Sequence, residues 1–510
     1  MKRALTALEM RAVDAAAARF GMPSAVLMEN AGQALAAQAL RLASGQGRFH
    51  VLCGLGNNGG DGLVAARALA GSGRAVTVEL AGEQVKLQGE PLRNWVALEA
   101  AGVSLGPAPA GDVLGEGDVV IDALLGTGLT RAPEGRYAEA IERIGRWRAR
   151  GARVLAADLP SGLDSDTGGS PGPCVSADVT LSFGFLKVGQ VLEPGASRCG
   201  ALEVVDIGIP PSSLEAAGSA PPVHLVEASD ARARLPARGA ADHKGTHGHV
   251  LVVAGSRGKT GAAALSGMGA LRAGAGLVTV VTRPDALAAV LQHAPELMGH
   301  ELGHGGPLGM ADLDELVRAA EGKSVVVLGP GIPRGDETGR LIKALLAELR
   351  VPCLIDADGL NALEGQVDGF ASARSPLVLT PHPGEMSRLL QRPTQAVQAD
   401  RLSAARELAR RASAVVALKG ARTIVATPDG AAFVNPTGNP GMGTGGTGDV
   451  LSGVCGALLA QGLSAVDAAI ASVYVHGLAG DLVARRTGQL GLLASDLLSG
   501  LQEVWVSWSR

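Results

Sequence analysis

Short apolar runs that end in glycine or aspartate and then give way to alanine-rich stretches of helical period set what this chain can fold into. RFHVLCGLG leads through GLVAARALAGSG to AVTVEL, and DVVIDALLG, ARVLAADLPSG and ADVTLSFG follow. Strand, helix and strand at this rhythm imply parallel strands, and a parallel sheet has to be covered on both faces. The rhythm lapses at PPSSLEAAGSAPP, where paired prolines and small residues carry neither helical nor strand period. It resumes with GHVLVVAGS, the helix GAAALSGMGALRAGAG and the strand LVTVVT, then SVVVLGPG, PCLIDADGL, PLVLTPHPGE and AVVALKG. The 510 residues exceed three times the ~150 that is usual for one domain. Two α/β domains are therefore expected, over residues 1–215 and 225–510, joined by a linker at 216–224. They share a βαβ outline without the fixed-period self-similarity of a solenoid.

Composition narrows the partners. Lys+Arg 45 against Asp+Glu 49 gives a net charge of -4 with the signs mixed, so the basic run that a nucleic-acid binder needs is missing. Aromatics at 2% are too few for base-stacking platforms, and cores must be filled with Ala, Val and Leu. No uninterrupted apolar stretch approaches the ~20 residues that span a bilayer, and MKRALTALEM lacks a signal-peptide core. Cys53, Cys174, Cys199, Cys353 and Cys455 are scattered and never in a CxxC, which indicates neither a disulfide framework nor a zinc site. The expectation is a cytoplasmic protein with no nucleic-acid or membrane partner.

In VLCGLGNNGGDG, Gly54, Gly56 and Gly59 satisfy GxGxxG between a strand and a helix, and Glu79 ends the next strand where a ribose-binding acid would stand. A dehydrogenase reading follows, but Asn57, Asn58 and Asp61 contradict it, because a carboxylate in that turn repels a pyrophosphate while side-chain oxygens there suit a cation. The plain alternative is that the glycines serve only a tight turn. Asp122 in DVVIDALLGTGLTR and Asp158 in VLAADLPSGLD add acids at two further strand ends, where open parallel sheets bind ligands. A single such aspartate is often a helix cap. Three polar clusters on three strand ends indicate a site.

In the second half, AGSRGKTG fails as a P-loop because Val253 stands where the first glycine is required. NPGMGTGGTGDVLSG is the stronger signal: Gly441, Gly443, Gly445, Gly446 and Gly448 run into an apolar helix with Asp449 at its start. The N–H groups and dipole of such a helix suit a transferring phosphoryl group, and Asp449 is placed to accept a hydroxyl proton. The competing reading of Asp449 is a helix cap. His382, between prolines, reads by itself as a loop residue. Asp356 and Asp358 either orient magnesium or cap a helix and receive no role.

NNGGDG at 57–62, DALLGTG at 122–128, DLPSGLDSDTG at 158–168 and MENAG at 28–32 resemble the NAD(P)H-hydrate epimerase family over roughly residues 1–215. The resemblance implies a Rossmann-like parallel sheet and a potassium ion held by Asn58, Asp122 and Ser161. It implies substrate contacts from Asn57, Asn58, Gly59, Gly60 and Asp61, and from Gly126, Thr127, Gly128, Leu129, Thr130, Arg131 and Ala132. Asp158 would contact the hydrated nicotinamide as acid/base. At C6 a hydroxyl and the ring nitrogen share one carbon, so loss of hydroxide and re-addition from the other face inverts the centre with proton transfers only.

The GTGD segment is similar to the ribokinase-like superfamily. With KGTHGHVLVVAGS, ALRAGAGLV, LGPGI, DADGLNAL, LTPHPGEMSRLL and KGARTIV, the second half resembles NAD(P)H-hydrate dehydratase over roughly 225–505. That resemblance implies a ribokinase-like α/β domain using Mg²⁺ with ADP or ATP. Ala262, Gly331, His382 and the catalytic Asp449 would contact the hydrate, while Lys419, Gly420, Ala421, Arg422, Thr423 and Gly448 hold the nucleotide. Together the halves imply an isomerase and a lyase that repair NADHX and NADPHX, in a homo-oligomer. The alternative is a ribokinase-like small-molecule kinase whose first domain senses nicotinamide nucleotides, and a pure binding module in the first half is the third reading.

Overall fold

The structure, a computed structural model, describes residues 1–106, 113–129, 131–218, 220–303 and 306–508. The chain divides into two compact units, Lys2–Pro222 and Val223–Arg510.

The first unit contains β1 (Lys2–Leu5), β2 (Phe49–Cys53), β3 (Val76–Leu80), β4 (Ser104–Leu105), β5 (Val119–Ala123), β6 (Arg153–Ala157), β7 (Val179–Phe183), β8 (Leu186–Lys187) and β9 (Ala201–Val205). Its sheet runs β4-β3-β2-β5-β6-β7-β9 with every pairing parallel. β1 pairs in parallel with β8. All five residues of β2 and of β5 are buried, as central strands covered on both faces must be. On one face Val51, Ile121 and Leu155 pack with Leu35, Leu63 and Leu69 from helices Ser24–Leu42 and Asn57–Gly71. On the other, Val120 and Val154 meet Ala140, Ile141, Ile144 and Trp147, the apolar stripe of helix Arg136–Ala149 at helical spacing. The strand order reverses between β2 and β5, so their carboxyl ends frame a crevice.

The second unit contains β10 (Val223–Leu225), β11 (His249–Val253), β12 (Leu277–Thr282), β13 (Met298–Glu301), β14 (Val325–Leu328), β15 (Cys353–Ile355), β16 (Leu377–Leu379), β17 (Val415–Leu418), β18 (Ile424–Ala426) and β19 (Ala432–Val434). Their order is β13-β12-β11-β14-β15-β16-β17-β18-β19-β10, reversing between β11 and β14. β17–β18 and β18–β19 are antiparallel, whereas the sequence rhythm implies parallel strands throughout. The connections there are too short for the dozen or more residues of a parallel crossover, which leaves hairpins.

The 210–222 stretch, expected to be irregular, forms a 3₁₀ helix over Pro211–Ala217 with proline in its first turn. β10 begins directly after Pro222 and pairs with β19. Helix Ala465–Thr487 is long and apolar enough to cross a membrane, but 72% of its most apolar window is buried inside its own unit. Helix Thr447–Ala460 lies against helix Thr260–Arg272. A Cβ on Gly453 would fall 2.0 Å from the Ser266 carbonyl oxygen, and one on Gly269 would fall 2.7 Å from that of Val450.

Candidate active sites

In the first unit the loops after β2, β5 and β6 converge on a cavity of about 500 Å³. Asn57, Asn58, Asp61, Gly126, Thr127, Gly128 and Asp158 all line it. Gly59 and Gly60 are buried in the first turn of helix Asn57–Gly71, packed against Gly54 and Met28. Leu129, Arg131 and Ala132 lie off the lining, and Thr130 falls outside the described residues. A larger cavity of about 870 Å³, rimmed by Arg148, Arg150, Arg153 and Arg198, contains none of the expected site residues.

Beneath the cavity floor, Asp122 and Ser161 are fully buried. Ser161 Oγ donates to Asp122 Oδ1 at 2.6 Å and Ser161 N to Oδ2 at 2.8 Å. Leu125 N donates back to Ser161 Oγ at 2.9 Å, which ties the β5 loop to the β6 loop. Burial pushes the Asp122 carboxyl up to about 6 although Ser161 and Leu124 stabilise its charge. No cation neutralises it among the described residues. Asn58 stands nearby: a Cβ on Gly126 would lie 3.7 Å from its Oδ1. Both polar atoms of the Asn58 side chain are buried without a hydrogen-bond partner, a state that ordinarily costs ~1–3 kcal/mol.

Asp158 follows β6 with φ 60°, in the left-handed region that aspartate tolerates better than most residues. Phe183 N donates to its Oδ1 at 3.0 Å. The ammonium of Lys187, a fully buried side chain, donates to the same oxygen, and it donates at 3.0 Å to the carbonyl of Phe183 and at 3.0 Å to that of Phe185. Nothing among the described residues hydrogen-bonds the buried Asp61 carboxyl. Desolvation, with Asp158 next, raises it well above the ordinary range. Lys187 and Asp14, which also line the cavity, were missed by motif reading; no local pattern marks either. Glu79, the ribose-binding candidate, is taken by Arg143 at 2.5 Å and lies 3.5 Å from His50, so the dehydrogenase reading loses its acid.

In the second unit the residues expected to hold hydrate and nucleotide cluster at the carboxyl ends of the central strands. Gly331, at φ 71°, follows β14, and a Cβ there would meet the Lys259 carbonyl oxygen at 2.9 Å and Ala262 Cβ at 3.1 Å. Only glycine fits that approach. A Cβ on Gly448 would lie 3.2 Å from Lys419 Nζ and 3.7 Å from Asp356 Oδ2. Lys419 Nζ donates to Asp356 Oδ1 at 2.6 Å. Arg401 holds the loop that follows β17, donating to the carbonyls of Leu418 at 3.2 Å, Lys419 at 3.3 Å and Ala421. Arg422 sits in that loop at φ 55°, and Thr423 Oγ1 donates to the Gly420 carbonyl at 3.0 Å.

Asp449 occupies the first turn of helix Thr447–Ala460, whose cap position is Gly446. Its carboxyl makes no hydrogen bond among the described residues, so it does not cap the helix. Burial first and the neighbouring Asp356 next push it up to about 7, against the opposing charge of Lys419. Buried His476, held down to about 4 by desolvation, is neutral and donates from Nε2 to the Thr447 carbonyl at 2.9 Å. His382 caps helix Pro383–Leu390, its Nδ1 accepting from Gly384 N at 3.0 Å and Glu385 N at 3.3 Å. Burial pushes Glu385 up to about 7. Asp358, across Ala357 at φ 50° from Asp356, accepts from Lys259 Nζ at 2.9 Å and Arg334 Nε at 2.5 Å. Both aspartates without a sequence role are thus acceptors for cations of the site wall.

Two family models match the chain: YjeF-related protein N-terminus over residues 24–189, and NAD(P)H-hydrate dehydratase over residues 250–503. The bifunctional NAD(P)H-hydrate repair enzyme of Moorella thermoacetica is 42% identical over 98% of this chain and 96% of its own length. The enzyme of that description from Escherichia coli is 40% identical over 94% and 89%. The crystal structure of ADP/ATP-dependent NAD(P)H-hydrate dehydratase from Bacillus subtilis, co-crystallised with ATP/Mg²⁺, superimposes with a TM-score of 0.50 at 32% identity. It covers 56% of this chain and 99% of that one.

Proposed function

The chain belongs to the bifunctional NAD(P)H-hydrate repair enzymes, and from that premise we propose which of its residues perform each of the two reactions. The protein is an NAD(P)H-hydrate epimerase and an ADP/ATP-dependent NAD(P)H-hydrate dehydratase. It epimerises NAD(P)HX at C6 and restores NAD(P)H from the S form.

For epimerisation, the cavity framed by Asn57, Asn58, Asp61 and Gly126–Gly128 takes the hydrated nicotinamide. Asp158 is the acid/base: anchored by Lys187 and Phe183 N, it presents a carboxylate to the C6 substituent. Asn58, Asp122 and Ser161 fit a monovalent cation. A buried carboxylate without a counter-charge, a hydroxyl and an unpartnered amide oxygen are hard oxygen donors with neither thiolate nor imidazole. Potassium bound there supplies positive charge that steadies the two loops.

For dehydration, Asp449 removes the proton from the C6 hydroxyl as that oxygen attacks phosphorus, and the N–H groups of the Gly445–Gly448 turn receive the phosphoryl oxygens. Ala262, Gly331 and His382 bound the hydrate. Lys419–Thr423 with Gly448 hold the nucleotide, their loop fastened by Arg401. Magnesium would accompany the nucleotide here, as ATP/Mg²⁺ was co-crystallised with the Bacillus subtilis dehydratase. That metal supplies neutralisation of phosphate charge. Phosphate then leaves C6 with the C–O electron pair, a proton leaves C5, and the C5=C6 double bond of the ring is restored. The setting proposed for these reactions is the cytoplasm, and the form proposed for the protein is a homo-oligomer.

The observation that carries the dehydratase assignment is the Asp449 carboxyl, without a hydrogen bond among the described residues, at the head of the glycine-loop helix and poised at about 7. A stable kinase with a sensing module would use the same groups but release a phosphorylated product. Incubating the protein with an NADHX epimer mixture, with and without ADP or ATP, tests the reading. Nucleotide-dependent recovery of NADH absorbance beyond the S fraction is expected, and a phosphorylated product without NADH would overturn it.

A further inference from the structure

Inversion at C6 needs two proton movements: the departing hydroxyl takes a proton, and the water that adds to the other face gives one up. Asp158 Oδ1 already accepts from the Lys187 ammonium and Phe183 N, which presents this carboxylate as a proton acceptor. In the same turnover a second group would supply the proton.

Helix Ala7–Arg19 forms a separate wall of the cavity. It buries Val13, Ala16 and Ala17 against the unit and turns Met10, Arg11, Asp14 and Ala18 toward the cavity, one stripe at helical spacing. The Asp14 carboxyl makes no hydrogen bond among the described residues. Acidic side chains with structural work elsewhere in this unit are closed by donors: Glu9 by Thr6, Asp118 by Arg48, Asp178 by Arg148. Asp14 remains accessible because it faces the cavity, yet the surrounding protein strips enough water to push its carboxyl up to about 6. Lys187 opposes that shift and Asp158 adds to it. The other charged groups lining the cavity are Arg11 and Asp61.

We propose that Asp14 is a second catalytic acid/base of epimerisation, acting on C6 from the helix wall while Asp158 acts from the strand-end wall. This rests on the epimerase assignment of the cavity. In the forward direction the C6–O bond breaks, its electron pair leaves with oxygen, and Asp14 donates the proton that makes the leaving group water. The nitrogen lone pair forms the C6=N bond of an iminium. Water then adds to the opposite face, Asp158 takes its proton, and the C=N pair returns to nitrogen. Exchange with solvent resets both carboxyl groups, and the reverse reaction exchanges their roles.

The test uses the full chain and separates the NADHX epimers by chromatography. Asp14→Asn should slow epimerisation by about 10²–10⁴-fold, the span of a general acid, and Asp14→Glu should recover part of that loss. Dehydration of pure S substrate, carried out by the other unit, should match wild type, and an unchanged thermal transition of the first unit verifies that the unit carrying the substitution is folded. The wild-type rate should decline as pH rises past about 6, where Asp14 loses its proton, and the Asn variant should lack this decline. An Asn variant within threefold of wild type, or one that keeps the declining limb, overturns the proposal alone. A wild-type protein that does not accelerate epimerisation over buffer overturns the epimerase assignment and the proposal with it.

Discussion

Lys419 Nζ and Asp356 Oδ1 stand 2.6 Å apart, and Ser452 Oγ donates to the other carboxylate oxygen at 2.6 Å. The ammonium proposed to face the nucleotide is therefore aimed by a carboxylate at the end of β15, which is itself fixed by the helix behind the glycine loop. Asp356→Asn removes the charge from under a buried lysine. A stability loss of about 3 kcal/mol is expected, together with a raised KM for ADP or ATP. Denaturant midpoints and nucleotide titrations measure the two, and an unchanged KM would detach Asp356 from nucleotide binding.

Asp449→Asn keeps the shape of the side chain and removes its ability to accept a proton. Because Asp449 caps nothing, the variant should fold and bind nucleotide as wild type does, and lose about 10²–10⁴-fold in dehydration. The base works only when deprotonated. Wild-type dehydration should therefore fall as pH drops below about 7 and level off above it. A variant that retains more than about a tenth of the wild-type rate, less than the smallest loss in that range, would show that another group activates the hydroxyl.

Exchanging potassium for a bulky organic cation should slow epimerisation and lower the melting temperature of the first unit, because the buried Asp122 carboxylate would lose its counter-charge. Adding potassium back should restore both. Equal rates and melting curves in the two buffers would exclude the ion at Asn58, Asp122 and Ser161.

Asp158→Ala should halt conversion of a mixed NADHX sample once the S form is spent, since dehydration proceeds in the other unit. The trace expected is a burst of NADH followed by the slow spontaneous rate. Complete conversion at the wild-type rate would mean that Asp158 is not the acid/base.

Much of this was legible in the residues, and the reasons differ from place to place. The strand-end motifs at Asn58, Asp122 and Asp158 could be read because parallel strands deliver their carboxyl ends to one edge, so local signals distant in sequence meet there. Asp14 and Lys187 carry no local signal. One sits in an alanine-rich helix and the other on a two-residue strand, and each acquires meaning only from what folding sets opposite it. Arg401 is similar, the first residue of helix Arg401–Ala412 and without a local signal until its contacts with the Leu418–Ala421 carbonyls are seen. His382 shows the converse: the TPHPGE motif drew attention to it, and the structure adds a cap that explains histidine at that position on its own. The hairpins β17–β18 and β18–β19 escaped notice because apolar runs look alike whichever way the next strand travels.

The close seating of Gly453 on the Ser266 carbonyl and of Gly269 on that of Val450 has a bearing on how this enzyme tolerates change. At these two points the interval between the helix that carries Asp449 and the helix that carries Ala262 is set by main-chain contact. Substitutions among the larger residues flanking this seam can alter its filling without altering its width. Drift in the surrounding core thus leaves the spacing of these two helices intact, while any side chain at position 453 would reset it at once.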